Sequence, residues 1–223
     1  MDPNTPVVAS DLARRFGYWS AAFLTISGIV YALVVGYYVS GHGLAMPPPN
    51  GLQFFGAVVT ILDSVALVIL MASVHEYARS GRRLLSLLAL LFTALFCAMV
   101  TINRFVQLSV VRRRLSAGES EAISWFLPYG SKSAMLALEI LGWSFFLSLA
   151  TLCAAPLFSK GRLELAIRVL LTAYGVLGLV SAVSFLAGSP LAGLGILAWG
   201  VVLPSATACL ALFFRRAAPK PDL

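Results

Sequence analysis

Charge is scarce in this chain: Asp, Glu, Lys and Arg make up 11% of its 223 residues, and residues 84–103 and 169–214 contain none of them. A soluble domain devotes roughly 25% of its residues to charge in order to cover its surface, so a water-facing fold is excluded. Histidine is nearly absent as well. A haem held by paired histidines would need both His42 and His75, and a six-span topology places them on opposite sides of a membrane. The three cysteines, Cys97, Cys153 and Cys209, each sit inside an apolar run and are too far apart for a C-x-x-C chelate. They read as small buried hydrophobes, and neither a metal site nor a cofactor is expected. No stretch is long and basic enough to form a nucleic-acid surface in water, so the formal charge of +7 is read as a topology signal. Gly is missing at position 2, where Asp2 stands, which excludes myristoylation, and the final Pro-Asp-Leu is not a prenylation box. No small-residue cleavage site follows the first basic residues closely, so the first apolar run is expected to remain as a helix.

Hydrophobic residues are abundant, at 60% of the chain with a mean hydropathy of +0.91. About 20 apolar residues are needed for a helix to cross the hydrocarbon, and the backbone must satisfy its own hydrogen bonds there. Six runs meet that length, at about 17–39, 52–74, 84–108, 133–157, 163–187 and 191–214. The predicted fold is therefore an all-α polytopic membrane bundle, one transmembrane helical domain over residues 1–223. Pro47, Pro48 and Pro49 lack the N–H groups of a continuing helix and mark the first connection. Arg79, Arg82 and Arg83 surround Gly81 in the second. The longest connection, 109–132, opens on Arg112, Arg113 and Arg114, and its 121–127 stretch reads either as a short interfacial helix carrying Trp125 and Phe126 or as an ordinary surface loop. Gly188 and Pro190 separate the last two spans, Gly ending one helix and Pro opening the next.

Lys and Arg set the orientation. With the N-terminus inside, the inner segments hold Arg14, Arg15, Arg79, Arg82, Arg83, Lys160, Arg162, Arg168, Arg215, Arg216 and Lys220, eleven in all, against five outside: Arg104, Arg112, Arg113, Arg114 and Lys132. Both termini are expected in the cytoplasm, with the bilayer a bacterial plasma membrane. The Arg112 to Arg114 run opposes this assignment and is outweighed by the inner clusters.

Three ionisable residues stand out within the spans: Asp63, Arg104 and Glu139. Counted from the outer helix ends, Asp63 lies near the midplane, Arg104 about one turn deep and Glu139 nearly two turns deep. Charges at such depth face protein or a cavity and pair with one another. Arg104 and Glu139 share a depth that suits a pair, with Asp63 deeper. Asn103 and Gln107 add neutral hydrogen-bonding groups, Gln107 sharing the Arg104 face more naturally because it stands at i+3. The five residues read either as an outward-opening polar pocket for a small molecule or lipid, or as a structural ion pair beside a neutral, hydrogen-bonded Asp63.

Other motifs are bland. His75-Glu76 begins like H-E-x-x-H, yet Arg79 stands where the second zinc ligand belongs. Gly175, Gly178, Ser181, Ser184, Gly193 and Gly195 place small residues along the last two spans, where helices can approach closely. Pro204 is expected to kink the sixth span, and Pro156 to mark the end of the fourth. Tyr18, Trp19, Tyr37 and Tyr38 read as interface anchors. Trp143 and Trp199, more central, suit either a pocket wall or core packing.

The stretches 101–108 (Thr-Ile-Asn-Arg-Phe-Val-Gln-Leu) and 137–143 (Ala-Leu-Glu-Ile-Leu-Gly-Trp) resemble small six-pass bacterial integral membrane proteins of the domain-of-unknown-function type. The resemblance implies the six-pass layout and brings no catalytic or transport signature with it. Three functions remain open. One is a transporter or other small-molecule or lipid-handling protein using Asp63, Arg104 and Glu139. Another is a non-catalytic subunit whose small-residue faces and Arg112 to Arg114 engage a partner protein or anionic headgroups, as a homo- or hetero-oligomer. The last is an intramembrane acid/base enzyme, for which no nucleophile and base show a recognisable spacing.

Overall fold

The computed structural model of the chain describes residues 10–42, 50–119, 121, 123–127 and 133–217. Every regular element among them is helical, and six helices are long and apolar enough to cross a bilayer. They are α1 (Asp11–Gly41), α2 (Gly51–Glu76), α3 (Arg83–Ser116), α4 (Ala134–Leu157), α5 (Gly161–Leu186) and α6 (Pro190–Arg216). The proline-rich connection at 47–49, together with Pro128, Tyr129, Lys132 and Lys220, lies outside the described residues.

Local chemistry accounts for most helix ends. Ser133 caps α4 by accepting the Leu136 N–H at 2.9 Å. The α4 helix closes in a 3₁₀ turn around Pro156. Gly188, with φ at +66°, ends α5, and the Ser189 N–H reaches back to the Ser184 carbonyl at 2.8 Å before Pro190 opens α6. One boundary differs from expectation. Arg112, Arg113 and Arg114 are expected from sequence to begin a connecting loop, and instead they continue α3 to Ser116. Arginine is a good helix former and no Gly or Pro interrupts the run, so the helix stops only near Gly118, whose φ is +79°. Beyond it, the 121–127 stretch contributes one 3₁₀ turn, Ser124–Phe126, with Trp125 and Phe126 exposed.

The six helices alternate in direction and pack chiefly on their sequence neighbours, with α6 returning to α1, so that they form a closed ring around a filled interior. The starts of α1, α3 and α5 and the ends of α2, α4 and α6 share one end, here the terminal end; the opposite is the distal end. At the terminal end Tyr77 packs edge-to-face on Phe213 and Phe214, and Phe158 on Phe213. Halfway along, buried Phe96 meets Trp143 edge-to-face at 4.8 Å, and the Tyr174 hydroxyl donates to the Trp143 carbonyl at 2.9 Å.

Small residues set the closest approaches, since lipid tails supply no hydrophobic drive between helices and tight packing must do so. A side chain at Gly178 would overlap the Ser148 hydroxyl, and one at Gly175 would overlap Leu152, which brings α5 onto α4. On α1, Gly17 faces the Phe214 ring and Gly28 faces Pro204, and between them the Thr25 and Thr207 hydroxyls lie 3.0 Å apart. Pro204 has no N–H to return to the preceding turn. The stretch before it, Ala198–Val202, is a π-helical turn, and two more interrupt α3 at Gln107–Val111 and α4 at Leu141–Phe146. Such turns rotate the side chains beyond them relative to a regular helix.

Candidate functional site

Asn103 and Arg104 stand just ahead of the π turn of α3 and Gln107 is its first residue, while Glu139 stands just ahead of the π turn in α4. These four side chains close a ring of hydrogen bonds. Arg104 donates from Nη2 to Glu139 Oε1 and, at 3.0 Å, from Nη1 to Gln107 Oε1. Gln107 Nε2 donates to Asn103 Oδ1 at 2.7 Å, and Asn103 Nδ2 donates to Glu139 Oε2 at 2.5 Å. Asn103 also donates to the Met135 carbonyl at 3.1 Å. The ring runs from the donor-only guanidinium to the acceptor-only carboxylate, and that polarity dictates how both amides are turned. Each amide must show oxygen towards Arg104 and nitrogen towards Glu139.

The ring is dry. Asn103 is fully buried and Glu139 is 9% exposed, while the Arg104 side chain keeps 17% of its surface. A charge at this depth is costly alone, and a matched pair with its remaining valences filled offsets that cost. Arg104 Nε is the ring's unsatisfied atom, buried without a partner.

Asp63 stands apart. Its Oδ1 accepts from the Ser27 hydroxyl of α1 at 2.6 Å, and among the described residues no cation pairs with it and no hydrogen bond joins it to the ring. The Arg104 and Glu139 pairing expected from depth is present; a meeting of all three ionisable groups in one hydrogen-bonded cluster is not. The link between the two parts is Tyr31 of α1, within electrostatic range of Arg104, Glu139 and Asp63 alike. Its ring lies against Gly56 and Phe55 of α2. Sequence patterning alone does not single out Tyr31, although it stands at i+4 from Ser27 and therefore shares the face that meets Asp63. Asn103, assigned the less favourable face beside Arg104, is the residue that reaches Glu139 and Met135 across the helix interface.

Chemically, the ring carries no net charge and exposes no nucleophile. Both carboxylate oxygens and both terminal guanidinium nitrogens already have partners. Asp63, held by one neutral donor, is the group with spare capacity. Among the described residues no three His, Cys, Asp or Glu side chains stand close enough to hold a metal ion. No family model, curated protein or solved structure matches the chain.

Proposed function

We propose that the chain is a non-catalytic membrane-embedded subunit whose distal polar cluster is a clasp fastening α3 to α4 rather than a ligand pocket. The observation that carries this reading is the closed hydrogen-bond ring, which gives each Glu139 oxygen a donor from α3 inside the protein. Buried pairs of this kind respond to mutation in a characteristic way. Removing one charge strands the other at a cost of about 3–5 kcal/mol, whereas replacing both by apolar residues of similar volume is close to neutral. Purified E139Q is therefore expected to unfold at a much lower temperature than the natural chain, and R104M/E139L to recover part of the loss, the rest reflecting Gln107 Oε1 left without its donor. If the apolar double variant were as damaged as E139Q, the ring would be serving something other than helix fastening.

Asp63 favours a second reading, handling of a small molecule linked to a proton at that carboxylate. An uncompensated acid near the middle of a bundle is a common mark of a proton or cation pathway, and Asp63 has Ser27 as its partner instead of a cation. The check is the unfolding midpoint tracked across the acidic to neutral range. A titrating Asp63 gives the natural chain a pH dependence that D63N lacks, and superimposable profiles remove this reading.

A further inference from the structure

The α1–α6 crossing builds a second polar feature at the terminal end. Gly17 admits the Phe214 ring into the surface of α1. That close approach brings the first turns of α1 beside the last turn of α6 and leaves a cavity of about 570 Å³ lined by Arg14, Arg15, Tyr18, Trp19 and Arg215. The volume falls within the roughly 300–1,000 Å³ typical of small-molecule sites. Three guanidinium groups surround it with one carboxylate among them. Asp11 Oδ1 meets Arg14 Nη2 at 2.8 Å and Asp11 Oδ2 meets Arg15 Nε at 2.7 Å, while Arg215 makes no ion pair among the described residues. The local formal charge is thus +2, three positive groups less one negative. Asp11 holds Arg14 and Arg15 by one edge each and leaves other guanidinium N–H groups for an incoming acceptor.

Arg14 also reaches the bundle interior electrostatically. Tyr77, just past the end of α2, has its phenol pushed above the usual range by burial and pulled back by Arg14. Tyr77 in turn packs edge-to-face on Phe214. Above the cavity, Leu12, Phe16, Trp19, Phe23 and Ile26 are all exposed and recur at alternating steps of four and three. That spacing places them on one face of α1, an apolar track leading from the cavity along the span.

We infer that this cavity binds the phosphate of an anionic phospholipid, with the acyl chains lying on the Leu12–Phe16–Trp19–Phe23 face. Guanidinium groups match phosphate oxygens in pairs, basic groups at a helix end attract acidic headgroups, and Tyr18 and Trp19 are suited to headgroup depth. The apolar track favours a lipid over a soluble phosphate, which has no use for it. The inference does not depend on whether the distal ring is a clasp or a pocket.

The test presents the detergent-purified full chain with equal amounts of chain-matched phosphatidylglycerol and phosphatidylcholine and counts retained lipid by native mass spectrometry. The natural chain is expected to favour phosphatidylglycerol by about tenfold, and R14Q/R15Q/R215Q to lose most of that preference. R112Q/R113Q/R114Q, which removes the same charge from the distal end, keeps it. Should the terminal triple variant fail to purify, R215Q alone decides the matter with a drop of about threefold, since Arg215 is an exposed residue at a helix end. An unchanged preference in the terminal variants, or an equal loss in the distal one, overturns the assignment. Displacement of the lipid by millimolar inorganic phosphate overturns the lipid as ligand and leaves a soluble phosphate site.

Discussion

At the distal end, three of the four described arginines are engaged within the protein: Arg104 in its ring, Arg112 over the Phe54 ring at 4.9 Å, and Arg114 with Glu119. At the terminal end Arg14 and Arg15 share the one carboxylate of Asp11, and Arg215 lines an open cavity without an ion-pair partner among the described residues. Both ends are basic in sequence, yet the distal one closes most of its charge inward while the cavity at the terminal one leaves charge available, even though Arg82 there donates to the Pro156 carbonyl. The difference comes from where the acids are. Glu139 and Glu119 stand within reach of distal arginines, whereas Asp11 alone answers the cavity's three. A count of Lys and Arg per side orients the chain, and it cannot separate engaged cations from free ones.

The largest expected effect breaks the inward-closing end. E139R places two guanidinium groups together in a dry interface and is expected to destabilise the bundle by more than about 4 kcal/mol, beyond the usual range for a point mutation. The exchange R104E/E139R restores opposite charges but reverses the ring's polarity. Both amides must then turn over, and Asn103 would present oxygen to the Met135 carbonyl, which needs a donor. Thermal unfolding should therefore rank the exchange between the natural chain and E139R. Full recovery would mean that the two amides are not oriented by the charges at either side of them.

Much of the architecture is legible in the sequence because hydropathy and helix rise are one-dimensional. Six long apolar runs give six helices, and residues counted from the helix ends give depth, which is enough to match Arg104 with Glu139. Rotation about each helix axis is not carried by sequence in the same way. Depth sets Asp63 deeper than the pair without saying which helix it faces, and its face of α2 meets Ser27 of α1. Three π-helical turns add to the difficulty, since each changes the rotational phase of the residues after it and has no strong signature in composition. The overrun of α3 through Arg112 to Ser116 has a different cause. Helix propensity continues past the apolar run, so the edge of hydrophobicity is not the edge of the helix. The terminal cavity joins Arg14, Arg15, Tyr18 and Trp19 with Arg215. Tyr18 and Trp19 each read as interface anchors and the arginines as topology signals, and only the α1–α6 closure brings them together.

The smallest effect on stability sharpens the other end. D11N removes the carboxylate that Arg14 and Arg15 share, on an exposed turn where ion pairs contribute little and side chains rearrange freely. The unfolding midpoint in neutral detergent is expected to stay where it is. Ligand preference should nevertheless move, because the cavity's local formal charge rises by one, from +2 to +3, and two guanidinium groups gain free edges. Retention of phosphatidylglycerol over phosphatidylcholine should increase by a few-fold, the opposite direction from R215Q. Asp11 would have to be organising Arg14 and Arg15 rather than competing for them if D11N lowered the preference instead. In that case the free charge at this end would matter less than its placement, and the two ends of the bundle would be built on the same rule.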